Sequence, residues 1–357
     1  MKITVLPGRE LTGAHVSQWI EIQRADPALD SPYFRPEFTQ AVAAVRGDVF
    51  VAVMEEGNRV CGFFPFERGR WGVGRPVGWP TSDFHGVVAA SGSEWDAAEL
   101  LRAARLPAWW FDHLPVAQAP FRGHCWRTSP ARYMDLSQGF EAYQAARRAA
   151  GSKEIRDIAA RSRRVQRQVG PLRFEWHSDE SRVFQTLLEW KSLQYRRTGF
   201  TDVVRLPWVV DLLDHIRQQR GEGFCGVLSA LYAGDALAAV HLGMRSHGVL
   251  HRWMPAYDAG LARHGPGAIC LLEWVMAAAE RGVRRIDMGD GPEPYKLQWT
   301  SGSVEVGQGA VECRPLWRAA RRAWQCAQRC ARTPLLGSPA RLGARLTRHV
   351  RRRWLYQ

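Results

Sequence analysis

Several absences narrow the reading before any motif does. No apolar run reaches the roughly 18 residues that a membrane-spanning helix requires, so a helical integral membrane protein is not expected. The start, MKITVLPGRELTG, has one Lys followed by Pro and charged residues where a secretory signal would carry its apolar core. The seven cysteines (61, 125, 225, 270, 313, 326 and 330) form no CxxC pair, and an odd number in a chain of 357 residues fits a reducing compartment. Together these absences predict a cytoplasmic protein with no structural zinc; separately, no metal is expected in the functional site. Acidic residues are missing altogether from Cys313 onward, where 12 of the 49 basic residues sit, leaving 37 basic against 35 acidic groups in the preceding 312 residues. The body is nearly neutral and the tail holds the charge.

That tail alternates Arg with Trp and Leu. Leu316, Ala319, Ala320 and Trp324 share one helical side with Arg on the others, and Pro334 and Pro339 interrupt the pattern. A basic amphipathic helix gains from apolar insertion and from surface potential, so contact with an anionic membrane surface or a membrane-bound synthase is one expectation. A solvated extension is the other.

The length suggests two domains. Hydrophobic residues at 46%, with 16 Trp and 14 Phe, supply enough large side chains for two cores. An internal repeat agrees with this. VFVAVMEEGNRVCGFFPFERG (49 to 69) reads as strand, turn and strand around Gly57, and GVLSALYAGDALAAVHLGMRSHG (226 to 248) reads the same way around Gly234. A helical stretch follows each hairpin, then a short apolar run carrying an acid; Asp112 lies 55 residues after Gly57, and Asp287 lies 53 after Gly234. In the first copy Ser93 reads as an ordinary N-cap.

Between the copies, residues 152 to 168 show Ile155, Ile158, Ala159 and Val165 at near-helical spacing with Arg on the remaining faces, until Gly170 and Pro171 stop the pattern. Two further helices are predicted, one ending at Gly199 and one opening on Pro207. The expected fold is α+β: two tandem units, each a mixed sheet flanked by helices, over residues 1–150 and 151–312, with a basic helical tail over 313–357.

In ARHGPGAICLLEWVMAAAERG (262 to 282), Ile269, Leu272, Val275, Met276 and Ala279 line one helical side. Gly265 and Gly267 precede it closely enough for the free N–H groups of the first turn to accept a pyrophosphate. The same glycines also serve as a plain cap and turn.

The strand-turn-strand LSALYAGDALAAVHLGMRSHGVLHRWMPAYD, followed by RHGPGAICLLEWVMAAAERGVRRIDMGDGPEPYKLQWTSG, resembles the CelD/BcsL-type acetyltransferases of the GNAT superfamily, and VAVMEEGNRVCGFFPFERGRWGVGRP with PTSDFHGVV resembles that family's amino-terminal half. The resemblance spans roughly residues 30 to 312. It implies paired GNAT-like folds, the second using acetyl-CoA or another acyl-CoA as donor, with direct transfer to an amine or hydroxyl of a sugar or polysaccharide precursor. The Q/R-x-x-G-x-G/A loop of GNAT proteins falls on Ala262, Gly265 and Gly267, so the basic position is replaced and Arg263 stands one place late. Gly265, Gly267, Ala268, Arg263 and Lys296 are the implied cofactor contacts. His241, Asp287 and Tyr295 are the candidates for base and acid, with Asp290 beside them; Tyr295 and Lys296 match the family's late Tyr-Lys pair. Asp83 and His85 in SDFHG are expected on the acceptor side, in a first copy with no glycine-helix cradle of its own.

The same family is similar to Fem-type aminoacyl transferases, which take an aminoacyl group from tRNA. That likeness makes nucleic acid an alternative partner, met by the Arg face of residues 153 to 167. A degenerate pair that binds a glycan without catalysis is the third alternative.

Overall fold

The computed structural model describes residues 1–291, 293–314 and 319. The helix expected in the basic tail lies outside the described residues. In chain order the first part contains β1 (Lys2–Pro7), α1 (Gly13–Ala25), α2 (Pro36–Val45), β2 (Val49–Glu56), β3 (Arg59–Arg68), β4 (Gly74–Arg75), β5 (Val88–Ala89), α3 (Ala97–Ala103), β6 (Ala108–Pro115), β7 (Cys125–Asp135) and α4 (Gly139–Ala149). The second contains α5 (Glu154–Gln168), β8 (Leu172–Glu175), α6 (Ser181–Thr198), α7 (Pro207–Arg217), β9 (Phe224–Ala233), β10 (Ala236–Ser246), β11 (Val249–Tyr257), α8 (Pro266–Glu280), β12 (Arg285–Gly289), α9 (Pro294–Trp299) and β13 (Gly302–Glu312).

All strands join one mixed sheet in the order β1-β2-β3-β4-β6-β13-β7-β12-β11-β10-β9-β8, with β5 on β3. The repeat is visible in it. Antiparallel hairpins β2-β3 and β9-β10 turn at Gly57 and Gly234, both in the left-handed region. Each copy then adds a parallel pair, β4 with β6 and β11 with β12. The chain crosses between the copies at the middle of the sheet. β7, from the first part, pairs with β12, whereas β13, from the end of the second, inserts between β6 and β7.

Helices cover both faces, which is why β9 and β10 are almost continuously buried and carry no polar alternation. In β9, Leu228, Ala230 and Tyr232 enter a core under α1, α2, α6 and α7 that spans both copies, while Val227, Leu231 and Ala233 face α4, α5 and α8. A third core lies under α3. Local signals explain most helix ends. Gly199 ends α6 in the left-handed conformation, and Pro207 occupies the first turn of α7. Asp96, not Ser93, caps α3, because its carboxylate accepts from the Glu99 N–H (2.9 Å).

The glycine- and proline-rich stretch after β3 is held by one buried acid. Glu67 accepts from Arg75 Nε (2.8 Å) and the Gly78 N–H (2.8 Å), with Arg46 Nε at 3.5 Å. Asp48 also holds Arg46 (2.9 and 2.5 Å) and Arg75 (3.3 Å), so Glu67→Ala leaves both arginines one partner but deprives the buried Gly78 N–H of its acceptor, at an expected cost of about 1–3 kcal/mol in a urea melt. A change below about 0.5 kcal/mol would show that Asp48 alone satisfies both arginines and that the Gly78 N–H finds another acceptor.

Candidate functional site

β11 and β12 are paired only at Val249 with Arg285, Leu250 with Ile286 and His251 with Asp287. Beyond that point they part. Gly289 turns the chain with φ +69°, and a Cβ there would lie 2.6 Å from Asp83 Oδ2, so both backbone conformation and space demand glycine. β11 runs on to Tyr257 with no partner strand on this side. The opening is a cavity of about 1300 Å³, walled by the unpaired stretch of β11, by α6 and α8, and by the chain after β12.

The glycine-proline-glycine turn lies on its lining. Gly265, at φ +66°, is the N-cap of α8, Pro266 fills the first turn, and the helix start has neither a side-chain cap nor an acid. The positive end of α8 is therefore open to the cavity. A Cβ on Gly267 would lie 3.1 Å from the Tyr257 ring. The Ala268 N–H already bonds Gly265 O (3.1 Å), which leaves Gly267 as the amide of this turn best placed for a ligand.

Arg263 does not line the cavity. Its Nε, on the short helical turn over residues 259–264, bonds the buried His264 Nε2 (3.0 Å). A different arginine stands at the loop: Arg161 of α5 has Cδ 3.5 Å and Nη1 3.6 Å from the Cβ position of Gly265, and Nη1 bonds Glu154 Oε1 (3.2 Å).

Of His241, Tyr295, Lys296 and Asp287, the first three are on the lining and the last is not. His241, on β10, lies with its ring 4.1 Å from that of Trp274, and its Nε2 has no hydrogen-bond partner. Burial first, then Arg252 and Lys191, hold its pKa well below the ordinary range, so the ring is neutral and a weak base. Tyr295 accepts at its hydroxyl from Arg252 Nη1 (2.7 Å). Lys296 is buried, held by Glu293 (3.0 Å) and the Asp290 carbonyl (2.9 Å). Asp287 is buried but absent from the lining; it is the register partner of His251, and its Oδ1 accepts from Arg285 Nε (3.0 Å) two residues back on the same strand.

Lys191 was missed. It lies buried on α6 at the cavity wall, with Nζ bonded to Gln194 Oε1 and to the Pro255 carbonyl of the unpaired β11 edge, both at 3.2 Å. Burial, aided by Arg252, lowers its pKa to about 8. A signal existed in the sequence: Lys191 continues the stripe of Val183 and Leu187 at four-residue spacing, where an apolar residue belongs. Since the unfolded chain keeps the ordinary value of 10.5, wild type should gain stability relative to Lys191→Met as pH rises from 8 to 10.5, measured as the difference in Tm. A flat difference would place the ammonium in solvent.

Asp83 joins the two copies. Its Oδ2 faces His251 Nε2 (3.4 Å) on the cavity lining, and its Oδ1 faces His113 Nε2 (3.6 Å). His113 Nδ1 in turn meets Asp112 Oδ1 (3.1 Å). Burial works against the His113 imidazolium, but Asp83, Asp112 and Asp290 overcome it and push its pKa up to about 9. His85 is packed behind this chain; burial, outweighing Asp112, lowers its pKa to about 4. Of the two acceptor-side candidates, Asp83 reaches the cavity and His85 does not.

This mixed sheet, with its splayed parallel pair and a glycine-led helix at the opening, is a GNAT-like fold. A family model for the acetyltransferase (GNAT) domain matches residues 152–297, the part that contains α5 to α8, the splay and the Tyr-Lys pair. Among solved structures, FemX is similar with a TM-score of 0.56 at 9% identity, covering 89% of this chain and 99% of that one. The C-terminal domain of a protein assigned as a lysylphosphatidylglycerol synthetase from Agrobacterium fabrum is similar with a TM-score of 0.53 at 13% identity, covering 86% and 94%. No curated protein matches the chain. No helix among the described residues is long and apolar enough to cross a membrane.

Proposed function

We propose that this protein is an acyltransferase using acyl-CoA, acetyl-CoA first among the donors, to acylate an amine or hydroxyl of a small sugar or glycan precursor. The observation that carries the reading is the open positive end of α8 beside the unpaired edge of β11, within one cavity. The Gly267 amide and helix dipole suit a pyrophosphate, and Arg161, beside Gly265 though itself off the lining and paired with Glu154, adds positive charge near the turn. The edge of β11 beyond His251, unpaired by any strand on this side, suits the amides of an extended pantetheine arm, except at Pro255, which has no N–H and whose carbonyl is held by Lys191. Lys296, bonded at the cavity wall, would hold the turn after β12.

In this reading the acceptor enters from the Asp83, His251 and Asp290 side, where carboxylates and an imidazole suit hydroxyl groups. Its N–H or O–H proton passes to neutral Lys191 as it attacks the thioester carbonyl, the C–S bond breaks, and the thiolate takes a proton from Tyr295. His241, neutral and with Nε2 unpartnered, would accept a hydrogen bond and hold the acceptor.

One observation favours a second reading. Arg156, Arg163, Arg164 and Arg167 on α5 are exposed, a basic face suited to the phosphates of an aminoacyl-tRNA. Thermal stability measured against acetyl-CoA, free CoA and bulk tRNA separates the two. The first reading expects stabilisation by both CoA forms that changes little with salt. Stabilisation by tRNA alone, collapsing between 50 and 200 mM salt, would replace it with the second.

A further inference from the structure

Outside the cavity lining, the strongest unexplained chemistry lies where β6 meets the loop before β5. His85 is anchored there by its backbone N–H to the His113 carbonyl (3.0 Å). Its Nε2 lies 2.9 Å from the Ser82 carbonyl, which only accepts, so Nε2 carries the hydrogen and Nδ1 carries a lone pair. That lone pair is buried, has no hydrogen-bond donor, and faces Asp112 Oδ1 at 3.5 Å. A lone pair facing a carboxylate repels it unless a cation lies between them.

The surroundings supply the rest of a coordination site. His113 Nδ1 is 3.1 Å from the same Asp112 oxygen, and the three donor atoms from His85, Asp112 and His113 lie within 4.8 Å of one another. For a tetrahedral ion with bonds of about 2.0–2.2 Å, donors are separated by about 3.3–3.5 Å, close to the two spacings observed. The outer nitrogens are oriented as metal-bound histidines usually are: His85 by the Ser82 carbonyl, His113 by the Asp83 carboxylate at 3.6 Å. Trp79 Nε1 donates to Asp112 Oδ2 (3.1 Å), leaving Oδ1 for an ion. Two carboxylates, Asp83 at 3.6 Å and Asp112 at 3.1 Å, flank His113, negative charge that a dication would offset.

We propose that His85, Asp112 and His113 bind one divalent transition-metal ion of the zinc class, with a fourth position open. Two imidazoles and one carboxylate select Zn²⁺, Co²⁺ or Ni²⁺ over Mg²⁺ or Ca²⁺. The ion would fix His113 with its Nε2–H toward Asp83, and Asp83 toward His251 at the cavity. It acts as a positioning element between the copies, independent of which donor the cavity takes.

The test uses the full chain, stripped with a chelator and titrated with Co²⁺, then Zn²⁺. One equivalent should bind, with the visible bands of a low-symmetry Co²⁺ site, no thiolate charge-transfer band, and displacement by Zn²⁺. His85→Ala should weaken binding at least about 100-fold and Asp83→Asn about 10-fold. Circular dichroism checks that each variant folds; if His85→Ala does not, Asp83→Asn and the thiolate band decide. No saturable binding to wild type, binding unchanged in the folded variants, or a thiolate band would overturn the proposal. In that case His113 remains an imidazolium between two carboxylates. Because the readout is metal binding, its failure leaves the acyltransferase reading untouched.

Discussion

Gly267→Glu should abolish acetyl-CoA binding while leaving the protein folded. The new carboxylate would sit in the first turn of α8, where the helix dipole favours it, and would occupy the position proposed for the pyrophosphate. Like charges brought together at a binding site cost several kcal/mol, so affinity should fall at least about 100-fold and the thermal shift with acetyl-CoA should vanish. Gly267→Ala is the control. It places the same Cβ 3.1 Å from the Tyr257 ring, which must move by a few tenths of an ångström, but adds no charge. Binding retained by Ala and lost by Glu identifies the turn as an anion site. Equal loss in both would mean that the glycine serves the packing of Tyr257 alone, and binding retained by Glu would place the donor elsewhere.

Lys191→Met should lower kcat by about 10²–10⁴-fold, the usual range for removal of a general base, with little change in donor affinity. The sign of the pH dependence distinguishes base from cation. A base must be neutral before it can accept a proton, so the wild-type rate should rise with pH through about 8 and level off above it. That limb should be missing from the Met variant. A rate that falls through the same pH would mean that the ammonium binds charge, and Lys191 would then be a substrate contact. Methionine keeps a similar volume on the α6 stripe, so an inactive variant is not explained by a hole in the core.

The parts of this fold legible in the sequence are those decided by local chemistry. Gly57 and Gly234 mark their hairpins because a tight turn needs positive φ, Gly199 ends α6 for the same reason, and Gly170 with Pro171 separates α5 from β8. The cradle at Gly265 and Gly267 was legible as well, since its glycines and the apolar stripe of α8 adjoin in sequence. Arg161 was not, because it reaches Gly265 from about a hundred residues away through the packing of α5 against the turn. Asp112 was noted as the acid of the first repeat, yet nothing local to it indicated that His85 would fold back onto it. Asp287 looked equivalent to a reactive acid but is buried off the lining, where Arg285 takes its carboxylate. Alternation tells which residues share a face, and it does not tell which carboxylate on that face is already taken by a neighbouring arginine.

The crossing of β7 and β13 has a consequence for how the chain is made. Until residues 302–312 have been synthesised, β6 and β7 lack the strand that lies between them, so a nascent chain carrying the whole first repeat still presents an open sheet edge. Folding of the first repeat must therefore wait for the second. Truncation anywhere before β13 should yield aggregates and not a half-sized folded protein.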